Sequence, residues 1–281
     1  GRTISASSGI NKAGLLCGNF LQRAMNERDM TQVIDEFAAA AKECRDAGFD
    51  AVEIQFPYSL TPEQIRQELE THQLKLVLIN IPAGDWEAGE RGLACLPGRE
   101  QAFAAALDQA LDWAQRLNVD KINCLAGVPP TDMSAELIEQ TLAQNLTLAA
   151  ERCHQAGIEL MIEAINTEDV PGFYLHRSAQ VCELIKRLEL PSTGLQYDVY
   201  HMQIMEGNLI STLQRNADKI GHIQIADVPG RHEPGTGEIN FTNLFKALEA
   251  QGYAGHISLE YVPKNQTEAG LGWLATWMTQ D

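Results

Sequence analysis

Nowhere in this chain does an apolar run approach the roughly 18 residues that span a bilayer, and no basic, then apolar, then small-residue signal opens it. A soluble, cytoplasmic protein is therefore expected, with no membrane partner. Basic residues are scarce: 21 Lys and Arg stand against 38 Asp and Glu, giving a formal net charge of −17. A surface so acidic repels an extended phosphate backbone, which argues against nucleic acid as a partner. The six cysteines (Cys17, Cys44, Cys95, Cys124, Cys153 and Cys182) are scattered, with no C-x-x-C pair. In a chain of this length that pattern reads as reduced thiols rather than a disulfide framework. Also missing are a phosphate-cradling G-x-x-x-x-G-K and a dinucleotide G-x-G-x-x-G after a strand, and no linker or low-complexity stretch divides the chain.

What the chain does contain is alternation. Val33, Phe37, Ala40, Ala41 and Cys44 recur at helical spacing until Gly48, and FDAVEIQF follows as a strand. Further strands read as LKLVLIN (74–80), VDKINCLAG (119–127), IELMIEAIN (158–166), STGLQYDVY (192–200), KIGHIQIAD (219–227) and GHISLEYV (255–262). Helical patterns occupy the intervals near 62–72, 99–117, 134–156, 177–189, 208–217 and 241–251. Strict alternation of this kind argues for a parallel sheet with right-handed crossovers. The expected fold is α/β, a (β/α)8 TIM barrel forming a single domain over residues 1–281. Closure needs an eighth strand, for which RTISASS is the candidate; residues 1–32 otherwise form an atypical N-terminal segment with a long connection before the first helix.

In a closed barrel alternate side chains enter the lumen. In IELMIEAI the apolar Leu160 and Ile162 take the outer face, which turns Met161 and Glu163 inward. The same parity turns Gln196, Asp198, Gln224, Ser258 and Glu260 inward, together with Glu53, Asn80, Lys121 and Asn123. Four successive strands thus deliver Glu163, Asp198, Gln224 and Glu260 near the C-terminal mouth, where barrel enzymes keep their sites. Singly, each reads as an ordinary satisfied polar residue; together they read as a site. Facing carboxylates in a desolvated space repel or take up protons, and a divalent cation resolves that conflict. Hard oxygen donors suit Mg²⁺ or Mn²⁺, and Gln224 adds an oxygen without another negative charge.

The segments NIPAGDWEAGERGLACLPGRE (80–100), LMIEAIN (160–166), LQYDVYHMQIMEGNL (195–209), KIGHIQIADVPGRHEPGTGEINF (219–241) and ISLEYVP (257–263) closely resemble the hydroxypyruvate isomerase family of xylose-isomerase-like barrels. The resemblance extends over residues 33–277 or so. It implies that Glu163 and Glu260 are the catalytic glutamates, that these two with Asp198 and Gln224 hold the metal, and that His201 and Arg231 contact substrate oxygens. It also implies an isomerase interconverting hydroxypyruvate and tartronate semialdehyde, hence glyoxylate metabolism. A-G-D-W and G-E-R-G-L-A-C look closer to this family than to the similar 2-oxo-tetronate isomerases. Relatives usually read E-Y-K-P after the last strand, whereas this chain reads Glu260-Tyr261-Val262-Pro263-Lys264, so Lys264 receives no role.

The residues suit that chemistry. Moving a proton between adjacent carbons through an enediolate needs one carboxylate for the carbon-bound proton and another group for the hydroxyl protons. A substrate carboxylate needs a cation in an acidic site, and Arg231 offers a planar fork. The Gly-rich segment Asn80–Gly98 reads equally as a lid or as an ordered surface excursion. A ketose 3-epimerase or 2-oxo-tetronate isomerase on the same barrel stands as the alternative function. A multi-zinc endonuclease is opposed by the acidic surface, and a purely binding barrel would have no need of both glutamates. The substrate expected as partner is a small hydroxy-keto acid; a homo-oligomer is compatible with the sequence, and the need for metal in turnover stays open.

Overall fold

In the computed structural model, residues 4–7, 27–265 and 270–274 are described, and side chains from residue 34 onward. Eight parallel strands close into a barrel in chain order, each paired with the next and the eighth with the first. They are β1 (Ile4–Ser7), β2 (Ala51–Glu53), β3 (Lys75–Asn80), β4 (Lys121–Cys124), β5 (Glu159–Glu163), β6 (Thr193–Asp198), β7 (Ile220–Ile225) and β8 (Ile257–Leu259). Ile4–Ser7 of the RTISASS segment is therefore the missing strand: Ser5 pairs with Ala51 on one side and Ser258 on the other. The long connection expected before the first helix lies largely outside the described residues, and that helix begins at Glu27, before the first residue of the apolar pattern.

Helices α1 (Glu27–Asp46), α2 (Pro62–His72), α3 (Glu100–Leu117), α4 (Ala135–Gln155), α5 (Ser178–Arg187), α6 (Val199–Met205), α7 (Leu209–Arg215) and α8 (Phe241–Ala250) surround the strands. Local chemistry sets their ends. Thr61 and Gln64 form a reciprocal capping box with Pro62 in the first turn of α2, and Ser134 accepts from Leu137 N to start α4. On α3, Phe103, Ala106, Leu107, Ala110, Leu111 and Ala114 supply the apolar stripe that packs on the barrel. One element departs from the sequence reading. The segment YDVY reads as strand throughout, but β6 stops at Asp198, whose Oδ1 accepts from Tyr200 N (2.7 Å) and His201 N (3.3 Å) and so caps α6.

The parity holds where β5, β6 and β7 carry the site, whereas β3 shifts register against β2 between Leu76 and Leu78. Leu160, Ile162, Leu195, Tyr197, Ile223 and Ile225 are fully buried under the helices. A small apolar plug of Ala51, Val77, Leu78 and Met161 sits apart from that outer core. Gly221 makes room for it, since a Cβ there would lie 2.5 Å from Met161 Sδ. The lumen also holds a hydrogen-bonded polar chain. Gln196 Nε2 donates to Gln224 Oε1 (2.7 Å), Gln224 Nε2 donates to Glu53 Oε1 (2.7 Å), and Glu53 Oε2 pairs with His222 Nε2 (2.7 Å). Ser258 Oγ lies 3.1 Å from the same His222 nitrogen. Burial alone would raise the Glu53 carboxyl, yet His222, Gln224 and Ser258 hold it below its ordinary value. Lys121 pairs with Glu159 across the first positions of β4 and β5, at the opposite end of the barrel from the candidate site.

Cys44, Cys95, Cys124, Cys153 and Cys182 are buried free thiols, and Cys17 lies outside the described residues. No helix among the described residues is long and apolar enough to cross a membrane.

Candidate active site

Glu163 ends β5, and Asn123 of β4 donates from Nδ2 to its Oε2 at 2.8 Å. Asp198 ends β6 and spends one oxygen on the α6 cap, which leaves Oδ2 facing His201 Nε2 and Arg231 Nη2, each at 3.5 Å. Glu260 follows β8, and its Oε1 accepts from Arg231 Nη2 at 2.7 Å. All three carboxylates are buried, as is His201. Glu163, Asp198 and His201 each offer a ligand atom, all within 4.8 Å of one another. Gln224 is paired in register with Asp198, but both ends of its amide are engaged in the lumen chain, so coordination by it would use the second lone pair of Oε1.

Arg231 reaches this cluster from the loop after β7, and Asp227 shapes that loop. Its Oδ1 accepts from Val228 N (2.9 Å) and Ile239 N (3.1 Å), its Oδ2 from Gly235 N and Gly237 N (both 2.8 Å). A Cβ on Gly237 would sit 2.1 Å from Val228 O, which is why only glycine fits there. Arg231 itself takes a left-handed φ of 54°, and its carbonyl accepts from Val262 N (2.8 Å), joining the loop to the end of β8. Its guanidinium lies 5.0 Å from the centre of the Tyr200 ring. Replacing Asp227 with Ala removes the acceptor of four backbone donors, of which that of Ile239 is buried, and the fold should lose about 3 kcal/mol. Chemical denaturation reads the loss, and a KM rise for an acidic substrate should accompany it because Arg231 loses its platform.

Burial is the first cause of the carboxylates' altered acidity. It raises Glu163 well above its ordinary value, and the charges of Glu260 and Asp198 add to the rise while Asn123 opposes it. Burial pushes Asp198 up to about 6 and Glu260 up to about 8, with Arg231 holding both back. For Arg231 the order is reversed: burial works against its charge, but Glu260, Asp198 and Glu163 outweigh that and raise it. Burial, helped by Arg231, holds His201 well below its ordinary value, so the ring is neutral.

The residues fit a hard divalent cation. Glu260 Oε2 is buried without a hydrogen-bond partner, and the converging donors are mostly carboxylate oxygens. The acidity gives a test with a definite sign. An acid whose folded pKa exceeds its unfolded value of about 4 gains protons on folding, so ionising it opposes the fold. Ionisation of these carboxyls should therefore lower the stability of metal-stripped protein in the window between pH about 4 and about 8, most clearly above about 6.5, where the depressed His201, whose contribution has the opposite sign, is neutral in the unfolded chain as well. Added Mg²⁺ or Mn²⁺ should raise Tm more at the upper end of that window than at the lower end. Thermal melts across pH measure it; a cation effect independent of pH would contradict it.

The segment that reads equally as a lid or as an ordered surface excursion is anchored at its base. Gly92 N donates to Ala83 O (3.0 Å) and Cys95 N to Ala126 O (2.9 Å), and Leu93 to Leu96 are buried. Gly92 and Gly127 approach so closely that a Cβ on either would meet the other loop's backbone at 2.3 Å. Only the tip stands out, where Trp86 packs on Phe56 at 5.5 Å and under the Arg91 guanidinium at 4.0 Å.

Comparison with known proteins places the chain in a family. The model of the xylose isomerase-like TIM barrel family matches residues 41–277. Hydroxypyruvate isomerase of Escherichia coli (strain K12) is 46% identical, over 85% of this chain and 93% of its own length. The chain belongs to the hydroxypyruvate isomerase family of these barrels. It is an isomerase. A 2-oxo-tetronate isomerase from Cupriavidus necator is 42% identical over 87% of this chain and 93% of its own length. A crystal structure named AP endonuclease, family 2, from Brucella melitensis superposes with a TM-score of 0.85 at 34% identity, covering 98% of this chain and 99% of its own. An L-ribulose 3-epimerase structure, at 21% identity and a TM-score of 0.73 over 98% of this chain and 86% of its own, shares the fold. A shorter match, to the NADH:flavin oxidoreductase / NADH oxidase family, covers residues 3–59 alone.

Three residues that hold this candidate site together carry no signal as site residues in the sequence: Asn123 on Glu163, Asp227 under the Arg231 loop, and Asn166, whose Nδ2 lies 2.7 Å from His201 Nδ1. Parity had already turned Asn123 inward. Asp227 and Asn166 each follow a strand and open a turn, and Asx residues in that place commonly bond the backbone just ahead.

Proposed function

We propose that this isomerase interconverts hydroxypyruvate and tartronate semialdehyde (2-hydroxy-3-oxopropanoate). The observation that carries the reading is the Arg231 guanidinium among buried carboxylates. Nε and Nη2 are engaged by Glu260 and Asp198, while Nη1 has no hydrogen-bond partner among the described residues. A free cationic donor in an otherwise acidic mouth suits a substrate that carries its own carboxylate. The family relatives named for acid substrates support the same choice.

In this reading the proton on C3 of hydroxypyruvate passes to one glutamate, leaving an enediolate, and returns to C2; the hydroxyl proton on O3 moves to O2. Glu163 and Glu260 take these two tasks, and by microscopic reversibility each keeps its task in the reverse reaction. Carboxyls raised toward neutrality both hold and release a proton at working pH, which is what general acid–base transfer requires. His201 donates a hydrogen bond to a substrate oxygen. Glu163, Asp198, Gln224 and Glu260 would hold Mg²⁺ or Mn²⁺, which supplies Lewis-acid stabilisation of charge developing on adjacent oxygens.

The 42% identical relative favours one second reading, a 2-oxo-tetronate, which is a longer keto acid. The nuclease reading suggested by the Brucella melitensis name is disfavoured by the net charge of −17. Comparing kcat/KM for hydroxypyruvate, a 2-oxo-tetronate and free fructose or tagatose tests the choice. Hydroxypyruvate should be turned over best, and preference for a free ketose would overturn the proposal.

A further inference from the structure

His201 sits where a ring nitrogen could serve either as a hydrogen-bond donor or as a ligand, and the neighbouring turn decides between them. Asn166 lies three residues beyond the end of β5. Its Oδ1 accepts from the backbone nitrogens of Glu168 (3.0 Å) and Asp169 (2.7 Å). Backbone N–H groups only donate, so the two ends of this amide cannot be exchanged. Nδ2 therefore faces Asp169 Oδ2 at 2.9 Å and His201 Nδ1 at 2.7 Å.

An amide NH₂ only donates. A hydrogen on His201 Nδ1 would then point at another hydrogen across 2.7 Å, which excludes both the charged ring and the Nδ1–H tautomer. The remaining form carries its hydrogen on Nε2, the nitrogen 3.5 Å from Asp198 Oδ2. We infer that Asn166 locks His201 as the neutral Nε2–H tautomer, so that His201 meets substrate as a hydrogen-bond donor and contributes no nitrogen to a cation. Asn166 is thus a positioning residue, held on its far side by Asp169, which in turn hydrogen-bonds the Tyr200 hydroxyl.

The consequence for chemistry follows from the isomerase reading above, and only that part rests on it. A neutral imidazole N–H stabilises charge growing on a substrate oxygen without giving its proton away, so the proton transfers stay with the glutamates. It also removes His201 from the trio of possible ligands, leaving oxygen atoms as the donors.

The test is ¹⁵N NMR of histidine-labelled, metal-free protein at neutral pH, reading two-bond ring correlations. The chain has seven histidines, and His201 is assigned by the signal lost in His201→Gln. Wild type should show an unprotonated Nδ1 and a protonated Nε2 at His201. Asn166→Asp places an acceptor opposite Nδ1 and should invert that pattern. In the same variant kcat should fall by about 10²-fold with KM moving less than about threefold. His201→Gln, whose amide nitrogen can stand in for Nε2–H, should lose most of that sensitivity to Asn166→Asp. A wild-type ring bearing hydrogen on Nδ1, or an Asn166→Asp protein with both the NMR pattern and kcat intact, would overturn the lock. If hydroxypyruvate is not turned over but the wild-type pattern is as stated, the substrate assignment fails and the lock stands.

Discussion

Replacing Glu163 with Gln should lower turnover of hydroxypyruvate by about 10²–10⁴-fold, the usual worth of a positioned acid–base group. The substitution keeps the volume of the side chain, and its amide oxygen can still accept from Asn123 Nδ2. What it removes is the ability to hold a proton and return it. Because burial and two neighbouring carboxylates oppose ionisation of Glu163, the metal-free variant should melt no lower than wild type, and its relative gain should grow with pH. Steady-state kinetics and thermal melts on the same samples check both halves. Glu260→Gln should lose activity to a similar extent, though it also takes a partner from Arg231. Full activity in both variants would remove the two-glutamate mechanism.

The second large effect is expected at Arg231. Truncation to Ala should cost about 2–5 kcal/mol in kcat/KM for hydroxypyruvate, the range for losing one partner of a buried charge pair. Two contributions combine in that figure. The substrate carboxylate loses its cationic fork, and Glu260 and Asp198 lose the charge that holds their pKa values down. Arg231→Lys restores the charge without the planar fork and should fall between the two. Turnover of a free ketose, measured in parallel, separates the contributions: the first acts on the acid substrate alone, the second on any substrate. Equal losses on both would show that Arg231 serves only to balance the carboxylates.

Period-two alternation carried the fold and the candidate carboxylates. It works here because each strand packs an apolar face under helices, so Leu160 and Ile162, or Ile223 and Ile225, dictate where Glu163 and Gln224 point. The same regularity hid α6, since the aromatic and β-branched YDVY reads as strand while Asp198 acts as a helix cap. β1 was nominated only by the need for closure, because four residues are too few to show a pattern. The partners of Gln224 could not be read at all. Its amide bonds Glu53, which is 171 positions away in the chain, and only closure of the barrel brings the two together. Asp227 and Asn166 escaped because their work is done on the backbone of turns, where side-chain periodicity is silent.

The convergence of Glu163, Asp198, Gln224 and Glu260 on a proton-transfer site is tested most directly by isotope exchange. Hydroxypyruvate is incubated in deuterated water with metal-stripped protein and with protein reloaded with Mg²⁺ or Mn²⁺, and the products are followed by NMR. The reloaded protein should form tartronate semialdehyde carrying carbon-bound deuterium, and Glu163→Gln should form neither. Folded, reloaded wild type that produces no aldehyde and incorporates no deuterium would contradict the account.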